Sequence, residues 1–112
     1  MSLETVKAEV MEAYADCWLP WEEGEKRRNL DFRASEPLSP AEAQAILAEA
    51  TPGGYNAFKP ALLAKFPPDA RVTIAREGSV CLYVMGKDLP TLADLDADEY
   101  DRQNGVTRIW WD

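Results

Sequence analysis

The chain has no histidine. It therefore lacks the side chain whose charge changes near neutral pH, which is also the commonest zinc ligand. Ser35, Ser39 and Ser79 have no imidazole base that could make any of them a nucleophile. Cysteine is nearly absent too. Cys17 and Cys81 lie far apart in apolar contexts and read as small buried hydrophobes rather than disulfide halves or nucleophiles. Basic side chains are few, with 12 Lys and Arg against 20 Asp and Glu and a net charge of −8. Affinity for a phosphate backbone comes from basic patches, so this balance argues against direct nucleic-acid binding. No apolar run approaches the roughly 18–20 residues of a membrane span. The N-terminus, MSLETVKAEV, mixes acids into its apolar residues and does not read as a secretory signal, so a cytoplasmic location is expected. Pro52-Gly53-Gly54 lacks the Lys and Ser or Thr of a phosphate-binding loop and reads as a helix breaker.

What is present fits a folded domain. The chain has 112 residues, 46% hydrophobic and 29% charged, enough for one modest core over residues 1–112. Residues 2–18 carry Leu3, Val6, Val10, Tyr14 and Cys17 at helical spacing behind Ser2 as a cap, and Pro20 ends the run. Asn29 to Ala34 alternates as a short strand. Ser39-Pro40-Ala41-Glu42 is a helix start, with cap, first-position proline and a glutamate three residues on. The helix it opens should run to Ala50 and bury Ala43, Ile46 and Leu47. Residues 58–66 make a second short helix.

Residues 71–85 form the strongest hairpin pattern. A three-residue loop Arg76-Glu77-Gly78 sets Ile74 opposite Val80 and Val72 opposite Leu82, and gathers Val72, Ile74, Val80, Leu82 and Val84 on one face. Leu89 to about Tyr100 reads as a helix opened by a capping box at Thr91-Leu92-Ala93-Asp94. Asn104-Gly105 is a turn, and residues 106–111 are a final strand in which Trp110 and Trp111 point opposite ways. The order α-β-α-α-β-β-α-β predicts an α+β fold, a mostly antiparallel sheet of three or four strands with helices on one face.

The most unusual stretch is residues 93–101, ADLDADEYD, with five acids in nine residues. Asp88 to Asp101 holds six acids and no Lys or Arg. Asp94, Asp96 and Asp98 match the first ligands of a calcium loop, but Glu99 stands where the sharp turn needs glycine and Gly105 where a bidentate glutamate belongs. No metal or cofactor is therefore expected. Paired carboxylates can also act as acid and base, but that needs a pocket, which nothing in this segment marks. On a helix at about 100° per residue, Asp94, Asp98 and Asp101 share one face, flanked by Asp96 and Glu99, with Leu92 and Leu95 anchoring the opposite side. Like charges so spaced repel. The missing bases thus point to a row of carboxylates shown to a cationic partner, against the plainer reading of a solvated helix face. A turn holding Trp21, Glu22 and Glu23 is a second candidate contact surface.

In size and charge, with Asp94, Asp96, Asp98, Glu99 and Asp101 set against a net −8, the chain resembles the small acidic inhibitors encoded by phages and plasmids, of the anti-CRISPR or antirestriction kind. That resemblance implies nucleic-acid mimicry without chemistry: carboxylates occupy the basic groove of a nucleic-acid-handling protein. An immunity protein or antitoxin facing a basic toxin uses the same electrostatics, and a small metal-binding or enzymatic domain is the third class.

Overall fold

A computed structural model of the chain describes residues 3–15, 31–55 and 57–112. Helix α1 spans Leu3–Ala13. Val6, Val10 and, in the following turn, Tyr14 are fully buried as their spacing predicts, whereas Leu3 is 44% exposed and leaves the stripe. Ser2, Cys17 and Pro20 lie outside the described residues. The last turn of α1 has no basic residue of its own. Arg76 supplies the cation instead, donating from Nη1 to the Ala13 carbonyl at 2.6 Å, where the helix dipole favours positive charge.

Helix α2, Pro40–Ala50, starts as its sequence dictates. Ser39 Oγ accepts from the Glu42 amide at 3.2 Å, and Glu42 Oε1 accepts from the Ser39 amide at 3.1 Å. It buries Ala43, Ile46, Leu47 and Ala50. Beyond it, Gly54 has φ +97°, and a Cβ there would stand 2.6 Å from the Phe58 carbonyl, so only glycine fits. The second short helix is a 3-10 helix, Pro60–Lys65, which buries Leu63.

Among the described residues five strands form one antiparallel sheet: β1 (Asp31–Arg33), β2 (Arg71–Glu77), β3 (Ser79–Met85), β4 (Glu99–Gln103) and β5 (Val106–Trp110), in the order β1-β2-β3-β5-β4. The expected hairpin is central, but its register differs from the expectation. Ile74 stands opposite Leu82 and Val72 opposite Val84, with Gly78 alone between the paired Glu77 and Ser79. Gly78 takes φ +76°, which lets both strands run up to the turn. A shift of two residues preserves the face, so Val72, Ile74, Val80, Leu82 and Val84 are all fully buried together. With Ile109 of β5 they join Val6, Val10, Ile46, Leu47, Phe58 and Leu63 in one core. The molecule is thus an α+β domain, with at least one strand more among the described residues than expected.

The extra strand comes from the acidic stretch. Helix α3 is only one turn, Leu92–Leu95, not Leu89 to Tyr100. Asp96 ends it in the left-handed region, at φ 54° and ψ 37°, its amide turned back to the Leu92 and Ala93 carbonyls. The chain then extends, and Tyr100 pairs with Ile109. The β4–β5 turn is Asn104-Gly105, both at positive φ (51° and 80°), as a tight two-residue hairpin requires.

The two C-terminal tryptophans do face opposite ways. Trp111 is fully buried, donates Nε1–H to the Leu95 carbonyl at 2.9 Å and meets Phe58 edge-on at 4.9 Å. Trp110 lies on the other face and donates Nε1–H to the Glu77 carbonyl at 2.8 Å.

Candidate functional site

The five acids of 94–101 are all exposed, but they do not share a helical face. Asp94 is the third residue of α3. Its Oδ2 accepts from the Thr91 amide at 3.0 Å, and its own amide donates to Thr91 Oγ1 at 3.1 Å. The Thr91 amide holds the Asp94 carboxyl below its usual range, helped by the threonine side chain. Asp96 is the left-handed cap. Asp98 lies in the connection to β4, where its Oδ2 accepts from the Asp112 amide at 2.6 Å. Glu99 and Asp101 lie in β4, on the face away from the core. The anchors also differ from expectation. Leu95 is fully buried, but Leu92 is 42% exposed, because a single helical turn cannot carry an opposite apolar side. Tyr100 takes over part of the anchoring, donating its hydroxyl to the Pro90 carbonyl at 2.8 Å.

Glu99 and Asp101 belong to a charged network on that outer sheet face, which sequence reasoning missed. Arg108 of β5 is its hub. Arg108 Nε and Nη2 donate to Glu77 Oε1 at 3.1 and 2.7 Å, and Nη1 donates to Glu99 Oε1 at 2.7 Å. Asp101 Oδ2 lies farther off, 3.9 Å from Nη1. Tyr83 donates its hydroxyl to the second oxygen of Glu77, and the Arg33 guanidinium lies 3.9 Å over the Tyr83 ring. Partial burial alone would raise the Glu77 carboxyl, but the bonds from Arg108 and Tyr83 outweigh it and hold Glu77 below its usual range. Desolvation likewise opposes the Arg108 charge, and the bonds to Glu77 and Glu99 raise its pKa on balance. Tyr83 alternates with the apolar Leu82 and Val84 of its strand, but nothing local pairs it with Glu77 or Arg108.

Beside this network a cleft of about 670 Å³ opens, lined by Arg33, Arg102, Arg108, Tyr83, Asp101 and Gln103 among others. Its walls mix polar and apolar surface, and three arginines line it against the single carboxylate of Asp101. The buried thiol of Cys81 lies on the same sheet face. Desolvation, reinforced by nearby Glu77, pushes it up to about 12, so it is no nucleophile at neutral pH. Trp21, Glu22 and Glu23 lie outside the described residues. Among the described residues no helix is long and apolar enough to cross a membrane.

No family model, curated protein or solved structure matches this chain. The class its architecture defines is a small α+β domain built on an antiparallel sheet.

Proposed function

We propose that this protein is a non-enzymatic binding protein that presents Asp94, Asp96, Asp98, Glu99 and Asp101 to a basic surface of a nucleic-acid-handling partner and inhibits it by occupying a groove meant for phosphates. The observation that carries this reading is the exposure of all five carboxylates along α3, its cap and the edge strand β4, in a chain of net charge −8. Charge complementarity of this kind steers encounter and selects the partner. The acids are not equivalent as probes. Asp94 caps α3 and Asp98 ties down Asp112, so their removal perturbs structure as well as charge. Asp96 and Asp101 have fewer structural duties, and asparagine tolerates the left-handed conformation at position 96.

The test is an Asp96→Asn/Asp101→Asn variant titrated against the partner, identified by affinity capture, at low and moderate salt, with DNA or RNA as competitor. Weaker binding, a shallower salt dependence and competition by nucleic acid are expected. Equal binding of variant and wild type at both salts overturns the reading.

A further inference from the structure

We infer that the cleft on the outer sheet face holds a small organic oxyanion, a phosphate or a carboxylate, with Arg33 as its principal contact. The inference is independent of the acidic binding reading above and concerns a second site on the same chain.

The cleft gathers basic side chains in a chain that has few of them. Of its seven arginines, three line this one cavity, Arg33, Arg102 and Arg108, and Asp101 is the only carboxylate among the described lining residues. Arg108 is already neutralised, with Nε and Nη2 on Glu77 and Nη1 on Glu99. Glu77 in turn gives one oxygen to Arg108 and the other to the Tyr83 hydroxyl. That leaves the charges of Arg33 and Arg102 against Asp101. Among the described residues neither arginine makes an ion pair. Arg102 turns Nη1 to neutral acceptors, Thr107 Oγ1 at 2.9 Å and the Gly86 carbonyl at 3.4 Å, so it lends the cleft charge rather than a contact.

Arg33 is placed differently. It stands opposite Ala75 of β2, whose short side chain lets the guanidinium cross that strand and lie 3.9 Å over the Tyr83 ring of β3. A stacked guanidinium meets the ring with its face and keeps its N–H donors at its edge, where they match the paired oxygens of a carboxylate or phosphate. The ring also holds the fork in place before any ligand arrives, which lowers the ordering cost of binding.

The rest of the cleft suits the organic part of such a ligand. Its volume of about 670 Å³ lies within the range of small-molecule sites, about 300–1,000 Å³. Half-buried Tyr83 and Val106 supply apolar wall, and the Gln103 and Asn104 amides both donate and accept. The net charge of −8 repels a polyanion as a whole, which selects a small ligand over a nucleic acid.

The experiment titrates the full chain, isotope-labelled, at low salt with adenosine monophosphate, with citrate and, as the uncharged control, with adenosine. Saturable shifts are expected at the Arg33 Nε–H and at the Gln103 and Asn104 side-chain amides with one or both anions, and none with adenosine. A response to the nucleotide alone assigns a phosphate, and a response to citrate alone assigns a carboxylate. Arg33→Gln should weaken binding about tenfold, and Arg33→Lys, which keeps the charge and loses the fork, about as much. Asp101→Asn should tighten it about threefold, because the opposing carboxylate is gone. That sign separates the two sites, since the same substitution weakens binding of a partner that meets the acidic face. No saturable shift with either anion, binding indifferent to Arg33→Gln, or weaker binding to Asp101→Asn overturns the inference. Arg33-dependent binding of a short single-stranded oligothymidylate, tighter than that of either small anion, overturns it as well.

Discussion

Arg108 and Glu77 are joined by two hydrogen bonds, at 2.7 and 3.1 Å, across the outer face of the sheet, although 31 positions separate them in the chain. They sit on β5 and β2, strands that are not neighbours, and β3 runs between them. The pair therefore ties three strands together over the hairpin turn. Both side chains are about a quarter to a third exposed, so the pairing is only partly screened. Arg108→Gln should destabilise by about 1–2 kcal/mol, since a half-buried carboxylate loses a charged donor, and urea unfolding measures it.

The same carboxylate makes stability depend on pH. The Glu77 pKa is lower in the folded protein than its ordinary 4.5. Its contribution is therefore present above pH 4.5 and is lost as pH falls through the folded value. Glu77→Gln should be less stable than wild type at neutral pH, and the two should converge in acid. A Glu77→Gln curve that parallels wild type below pH 4.5 would show that other carboxylates carry the acid sensitivity.

Leu82 lies on the central strand β3, opposite Ile74 on one side and Ile109 on the other, and is fully buried. Leu82→Ala leaves a cavity that no neighbour can fill from the surface. A loss of about 2–5 kcal/mol is expected in chemical denaturation.

Cys81 tests the packing of the outer face. In a Cys17→Ser variant it is the only thiol. With its pKa pushed up to about 12 and its surface buried, it should resist a disulfide reagent at pH 8 and react once urea unfolds the chain. Rapid reaction of the native variant would mean that the face opens readily.

The helix α2 and hairpin 71–85 were legible because local signals and burial agree there. A capping box, a proline at the first position and an apolar set at period two all survive in the structure. Even the misplaced hairpin register kept the right face, since it was wrong by an even number of residues. The acidic stretch was misread because two local signals compete. Thr91 and Asp94 do start a helix, but Asn104-Gly105 demands a hairpin, and a hairpin needs a strand before it as well as after. The alternation Glu99, Tyr100, Asp101 was the clue, hidden by residues so exposed that only Tyr100 marks a side. The Arg108 network was not legible at all. It depends on β5 lying beside β3, a long-range pairing without a local signature.

The backbone at residue 96 separates the two readings of that segment. In a helix continuing to Tyr100, Asp96→Ala would stabilise by better propensity. In the left-handed cap at φ 54° it should cost about 1 kcal/mol, while Asp96→Gly is neutral or stabilising. Urea midpoints of the two variants decide between them.

The last prediction separates structural acids from displayed ones and determines how a binding loss is interpreted. Asp94→Ala removes the carboxylate that accepts from the Thr91 amide and so unpicks the only turn of α3. That turn carries Leu95, whose carbonyl receives the Trp111 indole, so the effect should reach the core as a lower urea midpoint. Asp98→Ala frees the Asp112 amide at the end of the same strand pair and should lower the midpoint as well. Asp96→Asn keeps a side chain suited to its cap, and Asp101→Asn gives up only a distant ion pair, so both should leave the midpoint unchanged. A partner-binding loss in the Asp96/Asp101 pair is then a loss of displayed charge. If the midpoints of Asp96→Asn and Asp101→Asn fall as far as that of Asp94→Ala, the carboxylates of β4 and its cap hold the fold together, and binding must be measured with variants elsewhere on the strand.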